Sequence, residues 1–394
     1  MLGFYTDNID VLTLLNNAMV YTPQRLGMRN LLIGGGQILA ISETPLAASG
    51  AMIVDLAGQR LLPGFVDGHA HVTGGGGEAG FKTRVPPPSL SDFTSAGVTS
   101  VVGVLGTDDT TRDTRALLAQ TQTLRDEGMG AWCHTGGYHV PPVTLTNSVR
   151  DDIVHLEPVI GVGELAISDH RSSQPTLAEL LRIASDTHVA GLITRKAGIL
   201  HLHLGDGPRG MDLIRQALHD TELPGRVFNP THINRRKALL DEAIDVARQG
   251  CTVDITAFPV ADDEDAWAAD VALTRYLDSG APANRITISS DGGGCLPVFD
   301  AEGSMLSMNV GRASALLTTL VALLHQGMPL ETALPAFTSN VADLLRLTGR
   351  GHIRVGYQAD LLILDDSQCL SGVMIAGRWH RKDGQQVIKG YFET

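Results

Sequence analysis

The stretch Leu61-Leu62-Pro63-Gly64-Phe65-Val66-Asp67-Gly68-His69-Ala70-His71 decides how the rest of the chain is read. It reads as one buried strand, entered at Pro63-Gly64 and ending in two histidines. Residues two apart on a strand point to the same side, so His69 and His71 are presented together. A His-x-His pair alone fits two packed or surface histidines as well as it fits a site. Here an apolar run leads into the pair and would bury it. Buried imidazoles need partners, and a metal ion suits two aligned ones best. The other ligands must then lie elsewhere in the chain.

The 394 residues, 43% of them hydrophobic, suit a barrel of about 250 residues plus a smaller domain. A net charge of −13 favours solubility and argues against nucleic acid as a partner. Cys133, Cys251, Cys295 and Cys369 lie far apart with no Cys-x-x-Cys. That spacing fits a reducing, cytoplasmic setting without a disulfide framework. Met1 to Val20 lack the pattern of a signal peptide, and no apolar run reaches the length of a membrane span.

Outward from the opening stretch, both ends of the chain look alike. Ala18–Tyr21, Asn30–Ile33, Gln37–Ile41 and Met52–Asp55 read as strands near the start, with Gly34-Gly35-Gly36 as a turn. Ala359–Leu364 and Gly372–Gly377 read as strands near the finish, and Lys382-Asp383-Gly384 signals a hairpin. Neither segment can bury a core alone. Residues 1–58 and 349–394 are therefore expected to pair into one small β-sandwich.

Residues 59–348 alternate strands and amphipathic helices, the pattern of a parallel α/β fold. Eight apolar runs count as the strands of a (β/α)8 TIM-like barrel, whose active site forms at the carboxyl ends of the strands. The first strand ends in His69 and His71, the fourth in Glu164, the fifth in His203, the sixth in His232 and the eighth in Asp291. A lone strand histidine is more often a satisfied core residue, and Asp291 before three glycines could be a turn residue. Their joint occurrence at successive strand ends is the informative fact. Four histidines, a glutamate and an aspartate can hold two divalent ions with positions open for water.

At these residues the chain resembles the amidohydrolase superfamily and, within it, the isoaspartyl (β-aspartyl) dipeptidases. Pro63–His71 is similar to the superfamily's strand-one motif, and Gly356-Tyr357-Gln358-Ala359-Asp360-Leu361 to its closing motif. The narrower resemblance rests on Gly74–Gly80, Leu105–Asp108, Thr135–His139, Ile167–Arg171 and Thr231–Arg235. It implies a hydrolase of isoaspartyl dipeptides, a homo-oligomer, using two divalent ions, Zn²⁺ by expectation, and a metal-bridging hydroxide. His69 and His71 would hold the more buried ion and His203 and His232 the other. Asp291 would bind the first ion and shuttle the proton, and Tyr138 would donate to the oxyanion. Glu78 would take the substrate's α-amino group, with Gly76, Thr107, Arg171 and Arg235 holding its carboxylates and carbonyl region. The residue types agree with this: such a dipeptide carries an ammonium and two carboxylates, and arginine grips carboxylates in two-pronged fashion. The bland alternatives are solvated loop arginines and a packed loop tyrosine.

Two departures stand out. Cys295 occupies a substrate-binding position where the family tends to have serine. Glu164 stands where the family has a carboxylated lysine, with one apparent extra residue beside Gly163. A glutamate is shorter than that lysine by about 3–4 Å. An added residue next to glycine can bulge a strand and re-aim its neighbours. Gly163-Glu164-Leu165 also resembles the metal-bridging segment of TatD-type nucleases. The rival reading keeps Glu164 as an ion-paired neighbour and lets a lysine such as Lys196 bridge. Other possible functions are a different amidohydrolase activity, such as a cyclic amidase or an N-acyl amino acid deacylase, and a non-catalytic barrel used for binding or assembly.

Overall fold

The computed structural model describes residues 12–299 and 305–393. The signal-peptide reading therefore falls largely outside the described residues, as do the first part of the amino-terminal segment and Thr394. No helix among the described residues is long and apolar enough to cross a membrane.

Gly64 divides the opening stretch. Arg60–Pro63 is one short strand and Phe65–Ala70 another, where the sequence reads as a single strand. The Gly64 amide donates to the Asp360 carbonyl at 2.8 Å. A Cβ at this position would stand 2.1 Å from Thr99 Oγ1, so glycine is what lets the chain pass this close to the second barrel strand.

Arg60–Pro63 pairs antiparallel with Leu361–Leu364 and parallel with Thr13–Tyr21. Both ends of the chain thereby share one nine-stranded, mostly antiparallel sheet. Its own apolar core is built from Leu15, Leu31, Ile33, Leu61, Ile363 and Met374.

Phe65–Ala70 begins the barrel. It is the edge of a six-stranded parallel sheet that continues through Val98–Gly103, Gly130–Thr135, Val159–Ile167, Ile199–Leu204 and Phe228–Thr231. Val253–Thr256 and Ile286–Ser289 form a parallel pair. Backbone bonds from Asp291 to His69 and from His71 to Gly292 join the eighth strand's end to the first. Another, from Ile233 to Asp254, joins the sixth strand's end to the seventh. The second and fourth strands are buried along their whole length, as strands covered on both faces must be. Helices fill the crossovers. Leu177–Thr194 starts with a capping box between Thr176 and Glu179. Lys237–Arg248 buries Leu240, Ala243, Ile244 and Ala247 along one face. A hairpin, Cys295–Phe299 with Met305–Val310, follows the eighth strand.

Candidate active site

Two devices aim the side chains. The first is a bulge in the fourth strand. Leu200 pairs with Val162 but Leu202 with Leu165, so the fourth strand holds one residue more than its neighbour. The bulge falls at Gly163-Glu164, as the extra residue suggests, and turns the Glu164 carboxylate into the barrel mouth. The second is left-handed backbone at two strand ends, His232 at φ 61° and Asp291 at φ 52°. Such geometry in a non-glycine residue is costly.

The six residues expected to hold metal converge there, all of them buried. Glu164 Oε1 lies 3.7 Å from His69 Nε2 and 3.4 Å from His71 Nε2. Asp291 Oδ1 lies 3.4 and 3.1 Å from the same two atoms. The other oxygen, Glu164 Oε2, lies 3.0 Å from His203 Nδ1 and 3.3 Å from His232 Nε2. A tetrahedral site with bonds of about 2.0–2.1 Å has edges of about 3.3–3.4 Å. The separations therefore fit cations, with one carboxylate oxygen turned to each histidine pair. His69 Nε2 and Asp291 Oδ1 are buried without a hydrogen-bond partner, which a cation would supply.

The electrostatics point the same way. Burial alone would raise the Glu164 carboxyl, but His69, His203 and His232 hold it well below its usual range. Burial would likewise raise Asp291, and His69 and His71 hold it down. Burial would lower His71, yet Asp291 and Glu164 push it up to about 10. Protons and a divalent ion thus compete for the same atoms.

Each remaining expected residue lines the same cavity: Gly76, Glu78, Thr107, Tyr138, Arg171, Arg235 and Cys295. The Tyr138 hydroxyl stands 2.8 Å from His203 Nδ1. Burial and the nearby Glu164 charge keep it protonated well above the normal tyrosine range. Arg171 pairs with Asp169 at 2.7 Å and with Glu78 at 3.4 Å. Cys295 Sγ donates to Glu78 at 3.2 Å, and burial followed by the Glu78 charge raises its thiol pKa. The cavity is drawn tight, about 20 Å³, room for roughly one water. A larger groove of about 730 Å³ lies among outer helices at Lys237, Trp267 and Arg275, away from this cluster.

Sequence reasoning missed the groups behind the histidines. Asp169 Oδ2 accepts from His203 Nε2 at 2.8 Å, and Thr256 Oγ1 lies 2.6 Å from His232 Nδ1. His201 Nε2 lies 2.8 Å from His69 Nδ1. His201 could have been found, because it precedes His203 by two residues and shares its face. Lys196 is not near the cluster: its Nζ donates to the carbonyls of Ile153, Leu156 and Val159 at 2.6, 2.7 and 3.0 Å.

Residues 60–380 match the model of the amidohydrolase family. The chain belongs to the amidohydrolase family. A β-aspartyl dipeptidase from Fervidobacterium islandicum AW-1, solved in complex with a β-Asp-Leu dipeptide, is 39% identical to it. That structure superposes with a TM-score of 0.90 over 95% of this chain and 98% of its own. An imidazolonepropionase from Anaeromyxobacter sp. (strain K) is 27% identical over 360 residues, 82% of this chain and 79% of that protein. A dihydropyrimidinase from Brevibacillus agri, 17% identical with a TM-score of 0.68, covers 96% of this chain and 97% of its own, and shares the fold. The chain is a metal-dependent hydrolase of the amidohydrolase type, with the buried cluster above as its candidate metal site.

Proposed function

We propose that this enzyme hydrolyses the isopeptide bond of β-aspartyl dipeptides, using two divalent ions, Zn²⁺ by preference. The observation that carries this reading is the charge arrangement of the cavity. Glu78 faces Arg171 at 3.4 Å, and Arg235 Nη1 lies 3.5 Å from His203 Nε2, beside the metal-type cluster. A substrate with a free ammionium next to a carboxylate meets both signs of charge. The 39%-identical relative, solved with β-Asp-Leu, supports the same substrate class.

His69, His71 and Asp291 would hold one ion and His203 and His232 the other, with Glu164 between them. Bound divalent ions would acidify a water toward neutral pH and polarise the scissile carbonyl. The chain's own groups do the rest. Asp291 accepts the proton released by the attacking water and passes it to the leaving amine. Tyr138 donates its hydroxyl hydrogen to the carbonyl oxygen as that oxygen gains charge. Glu78 fixes the α-ammonium, while Arg171 and Arg235, with Gly76, Thr107 and Cys295, line the space for the carboxylates and carbonyl.

The test combines metal analysis with a β-aspartyl dipeptide assay. Glu78→Gln and Arg235→Ala should each retain wild-type metal content and lose turnover. Removing one partner of a buried charge pair costs about 2–5 kcal/mol. Wild-type kinetics in both variants would rule out this substrate class.

A further inference from the structure

The ligand-type histidines are backed in different ways. His203 is held by the Asp169 carboxylate and His232 faces the Thr256 hydroxyl. His69 alone of these three is backed by another imidazole, that of His201. A carboxylate can only accept, so it fixes the tautomer of the ring that donates to it. A neutral imidazole nitrogen can donate or accept. His201 can therefore set the state of His69 only if something sets His201.

Asn229 does so. Its Nδ2 donates to the Thr252 carbonyl at 2.7 Å, and a carbonyl can only accept. That bond orients the amide and turns Oδ1 toward His201 Nδ1, 2.6 Å away. His201 Nδ1 must then carry a hydrogen. In the neutral ring Nε2 is bare, and it accepts from His69 Nδ1 at 2.8 Å. With its proton on Nδ1, His69 offers Nε2 to a cation, and that atom is buried without a partner. We propose that Asn229 and His201 form a positioning relay that fixes the metal-competent tautomer of His69. This rests on the reading of His69 as a metal ligand.

The barrel is built around the relay. His201 and Asn229 sit opposite each other on adjacent strands, and His201, Asn229 and His69 are all buried. Gly163 makes room: a Cβ there would stand 2.7 Å from His201 Cβ. On the other side is His134, with ring centroids 5.5 Å apart. Neither ring nitrogen of His134 has a hydrogen-bond partner among the described residues, so it does not compete for either nitrogen of His201.

The test uses the full chain, ¹⁵N-labelled at histidine and stripped of metal with a chelator. Ring-nitrogen spectra should show His69 and His201 both protonated on Nδ1. A wild-type His69 without a proton on Nδ1 overturns the relay, and this measurement needs no variant to fold. In Asn229→Leu and His201→Leu, His69 should populate a form lacking the Nδ1 proton, and Zn²⁺ affinity by chelator competition should fall about 10–100-fold. His201→Gln, whose amide can accept from His69 and donate to Asn229, should restore both. Unchanged tautomer and affinity in the leucine variants overturn the proposal. If the wild-type protein binds no divalent ion, the ligand reading fails, while the spectra still decide the tautomer.

Discussion

At the scale of single residues, the site depends on where consecutive side chains can point. Thr231 and His232 are neighbours, yet Thr231 bonds inward to Asp254 at 2.7 Å and His232 reaches Glu164. The left-handed backbone at His232 permits this, and the same geometry at Asp291 turns its carboxylate toward His69 and His71. Each such residue costs roughly 1–3 kcal/mol, offset by the packed barrel around it. Asp291→Asn keeps the shape but cannot accept and release a proton. Turnover of a β-aspartyl dipeptide should fall about 10²–10⁴-fold, with weaker binding of one metal. A near-normal rate at full metal content would remove Asp291 from the chemistry.

At the scale of elements, the fourth strand carries the departure from the family pattern. Its bulge places one oxygen of Glu164 against each histidine pair. Metal-stripped enzyme should therefore regain full activity with Zn²⁺ in bicarbonate-free buffer, and Glu164→Gln should lose paired metal binding. Recovery that requires bicarbonate would overturn direct bridging by Glu164. Gly163→Ala would force a methyl group against His201 and should destabilise by about 1–3 kcal/mol, measured by denaturant unfolding. The bulge was legible because an extra residue beside a glycine is a countable feature. The convergence of His69, His71, Glu164, His203, His232 and Asp291 was legible because strand ends of a parallel barrel share one rim. The break at Gly64 was not, because Leu61-Leu62-Pro63 is as apolar as a barrel strand and only its partner, Leu361–Leu364, reveals its sheet. Asp169 behind His203 was hidden for a similar reason: its bond spans 34 positions of sequence. The hairpin from Cys295 was hidden behind three glycines that signal only a turn.

At the scale of the molecule, the terminal sheet and the barrel are fastened near Gly64. Arg350 forms an ion pair with the buried Asp360, bonds Ser100 Oγ on the second barrel strand at 3.2 Å, and lies over the Trp132 ring at 5.3 Å. Burial raises the Asp360 carboxyl pKa and Arg350 opposes that. Arg350→Met would leave a buried carboxylate unpaired, a change worth about 3–5 kcal/mol. The expected result is a lower Tm with metal content and the KM of the folded enzyme unchanged. A Tm equal to wild type would show that the two parts are held together elsewhere.

The Arg171–Glu78 pair across the cavity gives the resting enzyme a built-in competitor. Asp169 and Cys295 hold the same two groups from behind, so a visitor need only replace the contact between them. A simple amine would displace the guanidinium from Glu78 while Asp169 keeps hold of it, and a simple acid would displace Glu78 while the Cys295 thiol keeps hold of that carboxylate. Each half-match would break the Arg171–Glu78 contact and replace only one side of it. Under the proposed function a zwitterion would replace both sides at once, which would make the closed pocket a filter as well as a workplace.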